Sequence, residues 1–297
     1  MSRFLLMPAI VLTLALSACV TGTDKFLWQA EKAADVNDYR QAITQWSAAI
    51  ESGELSTASL TKVYYKRGNA YSALGQYRQA IADYDQALRL DPHYARAYTN
   101  RGVAYNALGE YQPALADFNQ ALRLNPNDAR AYSNRGVTHE GMRQYWRALQ
   151  DHNRALRLNP NYPEAYTNRG IAYNTLGQSW RAIVDHNNAL KLNPNSAEAY
   201  TNRGLAYHAL GQYQRAILDH DQALRLNPNL AEAYFNRGVA YHALGQYQRA
   251  IQDYDQALKL NSGFADAYLN RGKAYDALGQ PQQAREDFRQ AQRLSVE

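Results

Sequence analysis

The chain has 297 residues, of which 46% are hydrophobic and 20% are charged, a composition that favours a folded protein and excludes a disordered one. Its formal net charge is +5, which is too small and too dispersed for a nucleic-acid-binding protein. We therefore expect no nucleic acid among its partners.

Residues 1–18 have the pattern of a secretory signal peptide. Arg3 precedes an apolar run over residues 4–16, which is too short to make a good membrane-spanning helix. The run closes on residues 16–19, with the sequence Leu-Ser-Ala-Cys. These four residues resemble a bacterial lipobox, in which the cysteine is acylated and becomes the mature N-terminus.

Cys19 is the only cysteine, so the chain forms no disulfide within itself. A buried structural thiol and a nucleophile are the alternatives to lipidation, and the place of Cys19 directly after the apolar run favours lipidation. Because two or more acyl chains hold a protein firmly, the resemblance implies a permanent lipid anchor. Val20, instead of an aspartate, favours the bacterial outer membrane facing the periplasm, although the inner membrane stays open.

Residues 19–60 contain the anchor, a short linker and a degenerate helical hairpin. Tyr39, Ala42, Trp46 and Ala49 have the spacing of one face of a helix. The same spacing recurs in every unit further along the chain. A preceding helix is predicted near residues 24–36, and a few extra residues at 56–60 separate this hairpin from the next.

Residues 61–297 consist of a 34-residue repeat. The dipeptide Arg-Gly at residues 67–68 recurs every 34 residues, and the seven units begin at residues 61, 95, 129, 163, 197, 231 and 265. Position 8 of every unit is glycine, and positions 20 and 27 are alanine. In the second unit, two apolar stripes with helical spacing flank Gly109, and Pro126 ends the unit. Each unit therefore predicts a helix-turn-helix.

The recurring residues resemble the tetratricopeptide repeat (TPR). Its pattern has an aromatic residue at position 4, Gly at 8, Tyr at 11, Gly at 15, Tyr at 17, Ala at 20, an aromatic at 24, Ala at 27 and Pro at 32. The resemblance implies an all-α TPR solenoid, a right-handed superhelix with seven regular repeats and one degenerate N-terminal repeat. Arg143 replaces glycine at position 15, so we expect a loop of different shape there.

Two further ladders have structural interpretations. His152, His186 and His220 occupy position 24 of consecutive units. Neighbouring helical layers lie about 8 to 10 Å apart, too far to share one metal ion, so these residues are interpreted as core and no metal is expected. Arginine at position 7 and aspartate at position 23, such as Arg203 and Asp219, are predicted to pair across each hairpin.

A partner-binding groove is predicted on the first helices, which line the concave face in the TPR family. Position 6 is asparagine in six consecutive units: Asn100, Asn134, Asn168, Asn202, Asn236 and Asn270. An asparagine amide both donates and accepts, and so can pair with a peptide backbone. Packing between neighbouring helices is the alternative. Position 2 changes from basic to acidic along the chain: Lys62, Arg96 and Arg130, then Glu164, Glu198 and Glu232.

The sequence contains no catalytic motif. It has no glycine-rich phosphate loop, no His-Glu-x-x-His and no nucleophile elbow, so we predict neither an enzyme nor a cofactor. The resemblance implies a membrane-anchored scaffold or adaptor of the bacterial envelope that binds other proteins. The alternative is a regulatory or targeting subunit of a separate cell-wall hydrolase or glycosyltransferase. The partner, the process and the oligomeric state stay open.

Overall fold

A computed structural model describes residues 22–295, and this part of the chain is built of sixteen α-helices and no strands. The predicted all-α array of helical hairpins is thereby confirmed. The helices are α1 (Gly22–Asp35), α2 (Tyr39–Glu51), α3 (Thr57–Ala73), α4 (Tyr77–Leu90), α5 (Ala95–Ala107), α6 (Tyr111–Leu124), α7 (Ala129–Gly141), α8 (Tyr145–Leu158), α9 (Pro163–Thr175), α10 (Ser179–Leu192), α11 (Ala197–Ala209), α12 (Tyr213–Leu226), α13 (Ala231–Ala243), α14 (Tyr247–Leu260), α15 (Ala265–Ala277) and α16 (Pro281–Leu294).

The helices form two compact units, which divide between residues 126 and 127. Unit 1 contains α1 to α6, and unit 2 contains α7 to α16. Within each unit a helix packs most extensively on the other helix of its hairpin, and the second helix of that hairpin then packs on the first helix of the next. Each unit is therefore a stack of hairpins, which is the arrangement that the 34-residue period predicts.

Small residues at the helix crossings allow the helices of a hairpin to approach closely. Ala216 and Ala223, at positions 20 and 27, are fully buried. At position 8, a β-carbon added to Gly102 would lie 2.9 Å from Cζ of Phe118. A glycine at position 8 is needed because the ring at position 24 lies directly on its backbone.

The turn inside each hairpin ends on a left-handed residue at position 15. Six of these residues are glycines with φ of 70° to 73°. Arg143 adopts the same conformation with φ of 58°, and its N–H donates to the Glu140 carbonyl at 2.8 Å. The equivalent N–H of Gly211 donates to the His208 carbonyl at 2.9 Å. The expectation of a differently shaped loop at Arg143 is wrong, because the flanking helices impose one turn geometry.

The N-terminal hairpin joins the first regular repeat without a spacer. α1 and α2 span the region where the degenerate hairpin was predicted, and α3 begins at Thr57. The side chain of Ser56 accepts a hydrogen bond from the N–H of Ser59 at 3.2 Å and caps this helix. Residues 57–60 are thus an extra helical turn and not a separator.

The predicted signal peptide and Cys19 lie outside the described residues. Between residues 22 and 295, no helix is long and apolar enough to cross a bilayer.

Candidate functional site: the first-helix face

The first-helix face of unit 2 consists of positions 2, 6 and 9 of α7, α9, α11, α13 and α15, which share one side of each helix. Asn168, Asn202 and Asn236 lie at position 6 of three successive first helices and are half-buried. Their side-chain amides have no hydrogen-bond partner within residues 22–295, unlike those of Asn100 and Asn270. They therefore form an unengaged run of amides over three hairpins.

The other asparagines of position 6 are engaged. Asn100 Nδ2 donates to Asn69 Oδ1 at 2.7 Å and to the Tyr65 hydroxyl at 3.1 Å, both on the preceding first helix. Asn270 Nδ2 donates to the carbonyl of Asp266 at 2.8 Å, and Asn134 also has an interaction. The structure thus divides the six asparagines into three that connect to the protein and three that do not.

Position 2 gives each unit its own charge on the first-helix side. The residues at this position are exposed: Lys62 and Arg96 in unit 1, and Arg130, Glu164, Glu198, Glu232 and Asp266 in unit 2. Apolar side chains at position 9, such as Ile171 and Leu205, are half-buried beside them. The first-helix face of unit 2 therefore combines amides, carboxylates and aliphatic groups, which suits a peptide segment with basic side chains.

Unit 1 has an open pocket of about 470 Å³ next to Lys62. The extra first turn of α3 contributes Thr57 and Ala58 to its wall, and Asp91 and Tyr94 line the other side. Lys62 and Asp91 supply one charge of each sign. The pocket has no cluster of groups that indicates a particular ligand.

Arg203 and Asp219 are brought together as one of seven similar pairs. Nε and Nη2 of Arg203 donate to the two carboxylate oxygens of Asp219 at 2.7 and 2.6 Å. Nη1 donates to Asn187 Oδ1 on the preceding hairpin at 2.6 Å. The guanidinium carbon lies 5.3 Å from the ring centroid of Tyr200. The pKa of Arg203 is raised because Asp219 accepts its hydrogen bonds, so the arginine stays charged and holds two hairpins together.

The contact with the preceding hairpin was not predicted from the sequence. Position 25, which supplies its acceptor, is Asp or Asn in six units, and that regularity is the pattern that could have revealed it: Asp85, Asn119, Asn153, Asn187, Asp221 and Asp255. Equivalent hydrogen bonds from the arginine at position 7 reach Asp85, Asn153, Asp221 and Asp255.

The histidines of position 24 lie in the core. His152, His186 and His220 are fully buried, each against the glycine at position 8 of its hairpin. Burial, which disfavours the charged imidazole, lowers the pKa of His186 to about 4 and that of His220 to about 3. Among the described residues, no three His, Cys, Asp or Glu side chains are placed to hold a metal ion.

Comparisons with known proteins agree with this architecture. Family models described as "TPR repeat" match residues 68–109, 173–211 and 204–245, and others described as "Tetratricopeptide repeat" match residues 95–128, 129–162, 153–184, 231–264 and 265–295. A tetratricopeptide repeat and J domain-containing co-chaperone of Cryptococcus neoformans is 33% identical over 108 residues, or 33% of this chain. The matched stretch is only 20% of the co-chaperone's length.

Solved structures show the same fold at low identity. A tetratricopeptide repeat protein from Parabacteroides merdae has a TM-score of 0.68 and 21% identity, and the match covers 85% of this chain and 98% of that one. PilW, described as a type IV pilus biogenesis factor, has a TM-score of 0.63 and 22% identity, with 67% of this chain and 92% of that one covered. Since the repeat models together match residues 68 to 295 without a gap, the chain belongs to the tetratricopeptide-repeat family.

Proposed function

We propose that this protein is a membrane-anchored scaffold or adaptor that binds a segment of a partner protein along the first-helix face of unit 2. The observation that carries the proposal is the run of unengaged amides at Asn168, Asn202 and Asn236. Tetratricopeptide-repeat proteins serve as protein-protein interaction scaffolds, and this run supplies the chemistry for such a role.

The charges of unit 2 favour one orientation of the bound segment. Arg130 would attract an acidic part of the segment, while Glu164, Glu198 and Glu232 would attract a basic part. Because these side chains are exposed, the attraction is screened by salt, and association should weaken as ionic strength rises. The amides hydrogen-bond the peptide backbone irrespective of its side chains and supply the affinity common to all sequences.

The groove is tested by replacing all three asparagines with alanine. Losing three hydrogen-bonding groups should weaken partner binding about 10-fold or more, without changing helicity or melting temperature. The partner would first be recovered with the wild-type protein from detergent-solubilised membranes, identified by mass and then titrated in purified form.

A matched control is available on the second helices. Gln214, Gln248 and Gln282 are exposed amides at position 18 of successive hairpins, and they are changed to alanine in the same number. The groove is excluded as the site if the glutamine variant loses the partner while the asparagine variant retains it.

We also propose that Cys19 is acylated and holds the protein at the bacterial envelope, with the outer membrane facing the periplasm as its location. The support is the lipobox-like sequence of residues 16–19. Cys19→Ser should release the protein from the membrane or trap the precursor, measured by fractionation and by the mass of the N-terminal peptide. A wild-type protein recovered entirely in the soluble fraction with an unmodified thiol would contradict the anchor.

A further inference from the structure

The second helices α8, α10 and α12 carry exposed apolar side chains that the core does not use. Trp146 and Trp180, at position 18, are 63% and 59% exposed. Val184 and Leu218, at position 22, are 50% and 65% exposed. Positions 18 and 22 are one helical turn apart and lie on the same side of the helix. We name this surface, formed by the four residues, the tryptophan face.

The repeat fold does not require apolar residues at these positions. Elsewhere position 18 is polar, and position 22 is polar or alanine: Arg78, Gln112, Gln214, Gln248 and Gln282 at position 18, and Ala82, Ala116, Gln150, Gln252 and Glu286 at position 22. The hairpins that carry these residues fold in the same way. Four large apolar groups on neighbouring second helices therefore indicate a surface that contacts something outside the chain.

The tryptophan face is surrounded by positive charge. The basic residues of the three helices are Arg147, Arg154, Arg157, Arg181, Lys191, Arg215 and Arg225. Position 29, which supplies Arg157, Lys191 and Arg225, is eleven residues beyond position 18 and so lies on the same side of the helix. The guanidinium of Arg181 lies 5.1 Å from the ring centroid of Trp180.

The acidic residues of the same three helices are already neutralised. Asp151, Asp185 and Asp219 are buried and paired with the arginines of position 7. Asp221 pairs with Arg237 at 2.5 Å. No carboxylate of α8, α10 or α12 is left to balance the surface cations, so the tryptophan face and its rim are cationic.

We propose that the tryptophan face docks on an anionic lipid bilayer. Indole rings favour the interface between headgroups and acyl chains, and arginine and lysine are attracted to anionic headgroups. An apolar centre with a basic rim is the pattern of surfaces that lie in the membrane interface. A second copy of the chain is a poor partner for this face, because two cationic rims would repel. The face lies within the described residues and does not depend on acylation of Cys19.

The experiment uses the full chain, unacylated, with vesicles of phosphatidylglycerol and phosphatidylcholine or of phosphatidylcholine alone. Trp146→Gln with Trp180→Gln introduces the residue that three other units carry at position 18. Trp28→Gln is the matched control, because Trp28 is 62% exposed and lies on α1. Since all variants keep residues 1–21, any lipid affinity of that segment is common to them.

Two readouts are measured, the vesicle-bound fraction in flotation and the quenching of tryptophan fluorescence by brominated lipid. The double variant should bind anionic vesicles on the order of 10-fold more weakly than the wild type, and the Trp28 control should bind like the wild type. Quenching of the wild type should be largely lost in the double variant. Arg147→Gln and Arg181→Gln should each weaken binding to the anionic vesicles about 5-fold, with less effect on phosphatidylcholine.

Equal vesicle affinity and equal quenching of the wild type and the double variant would overturn the proposal. So would a double variant that still binds vesicles but loses binding to a polyglutamate peptide, since that result assigns the face to an acidic protein. Circular dichroism of each variant establishes that the fold is intact before the comparison is made.

Discussion

Two regions of unit 2 share a backbone and differ in chemistry: the three hairpins from α7 to α12, and the hairpin of α13 and α14. Position 24 is His152, His186 and His220 in the former and Tyr254 in the latter. All four rings are fully buried, and each contacts the glycine at position 8. Position 24 therefore demands a flat ring, whatever polar atoms that ring contains.

The difference teaches that the fold tolerates a polar ring where a less polar one would be more stable. Both ring nitrogens of His186 and of His220 are buried and have no hydrogen-bond partner among the described residues. The Tyr254 hydroxyl is in the same position. Such groups lose their hydration without compensation. Only the histidines, however, can also gain a charge between neutral and mildly acidic pH.

The largest expected effect is therefore a loss of stability in acid. His186 and His220 have lower pKa values in the folded protein than the ordinary value of 6.5. The unfolded chain then binds more protons below that pH, so their contribution is complete above about pH 6.5 and falls as pH is lowered toward about 4 and 3. At about pH 5 the loss should be about 2 kcal/mol for each histidine.

The control is His186→Phe with His220→Phe, which copies the ring of Phe118. Urea unfolding, followed by far-ultraviolet circular dichroism, is measured at about pH 7 and pH 5 for both proteins. Carboxylates titrate equally in the two, so the difference between their pH dependences isolates the histidines. The same acid sensitivity in wild type and variant would show that these rings are not the cause.

The arginine-aspartate pairs are common to both regions and test whether their geometry is the same. Double-mutant cycles on Arg203 with Asp219 and on Arg237 with Asp253 should each give a coupling of about 0.5 to 3 kcal/mol, because each pair shares two hydrogen bonds. Alanine replaces each residue, and denaturant unfolding gives the free energies. A coupling near zero in one hairpin alone would mean that its pair does not form in solution.

The fold could be predicted from the sequence because the period fixes it. Glycine and alanine recur where helices touch, and the first helices of six units begin at the first residue of the repeat, as in Ala95 and Ala197. The first unit departs from this rule, since α3 starts at Thr57. That start depends on the cap at Ser56, a local feature that the period does not contain.

The candidate site was only partly predictable. The period places six asparagines at equivalent positions, but whether each amide is engaged depends on its neighbours. Asn100 is engaged because Asn69 and Tyr65 stand on the preceding first helix, whereas Ile171 and Thr201 stand at the positions equivalent to theirs beside Asn202. Exposure of Trp146 and Trp180 likewise follows from which side of α8 and α10 the next hairpin leaves uncovered.

The smallest effect concerns Arg143, which occupies position 15 in the first of the three histidine hairpins. A left-handed conformation costs a residue with a β-carbon about 1 kcal/mol relative to glycine, because the β-carbon crowds the following carbonyl. The turn of Gly211 has the same hydrogen bonds, and a β-carbon there would meet no atom within 4 Å. The cost is therefore conformational and does not come from packing.

Arg143→Gly should stabilise the protein by about 1 kcal/mol, somewhat less if the greater freedom of glycine in the unfolded chain offsets part of the gain. Gly211→Ala is the reciprocal change and should destabilise by a similar amount. Both are measured as the denaturant midpoint at constant pH, with Arg147→Gly excluded as a control because α8 would itself be weakened. Arg143→Gln separates charge from conformation, since glutamine keeps the β-carbon and should leave stability nearly unchanged. If Arg143→Gln stabilises as much as Arg143→Gly, repulsion among the neighbouring arginines, and not the left-handed turn, is the source of the effect.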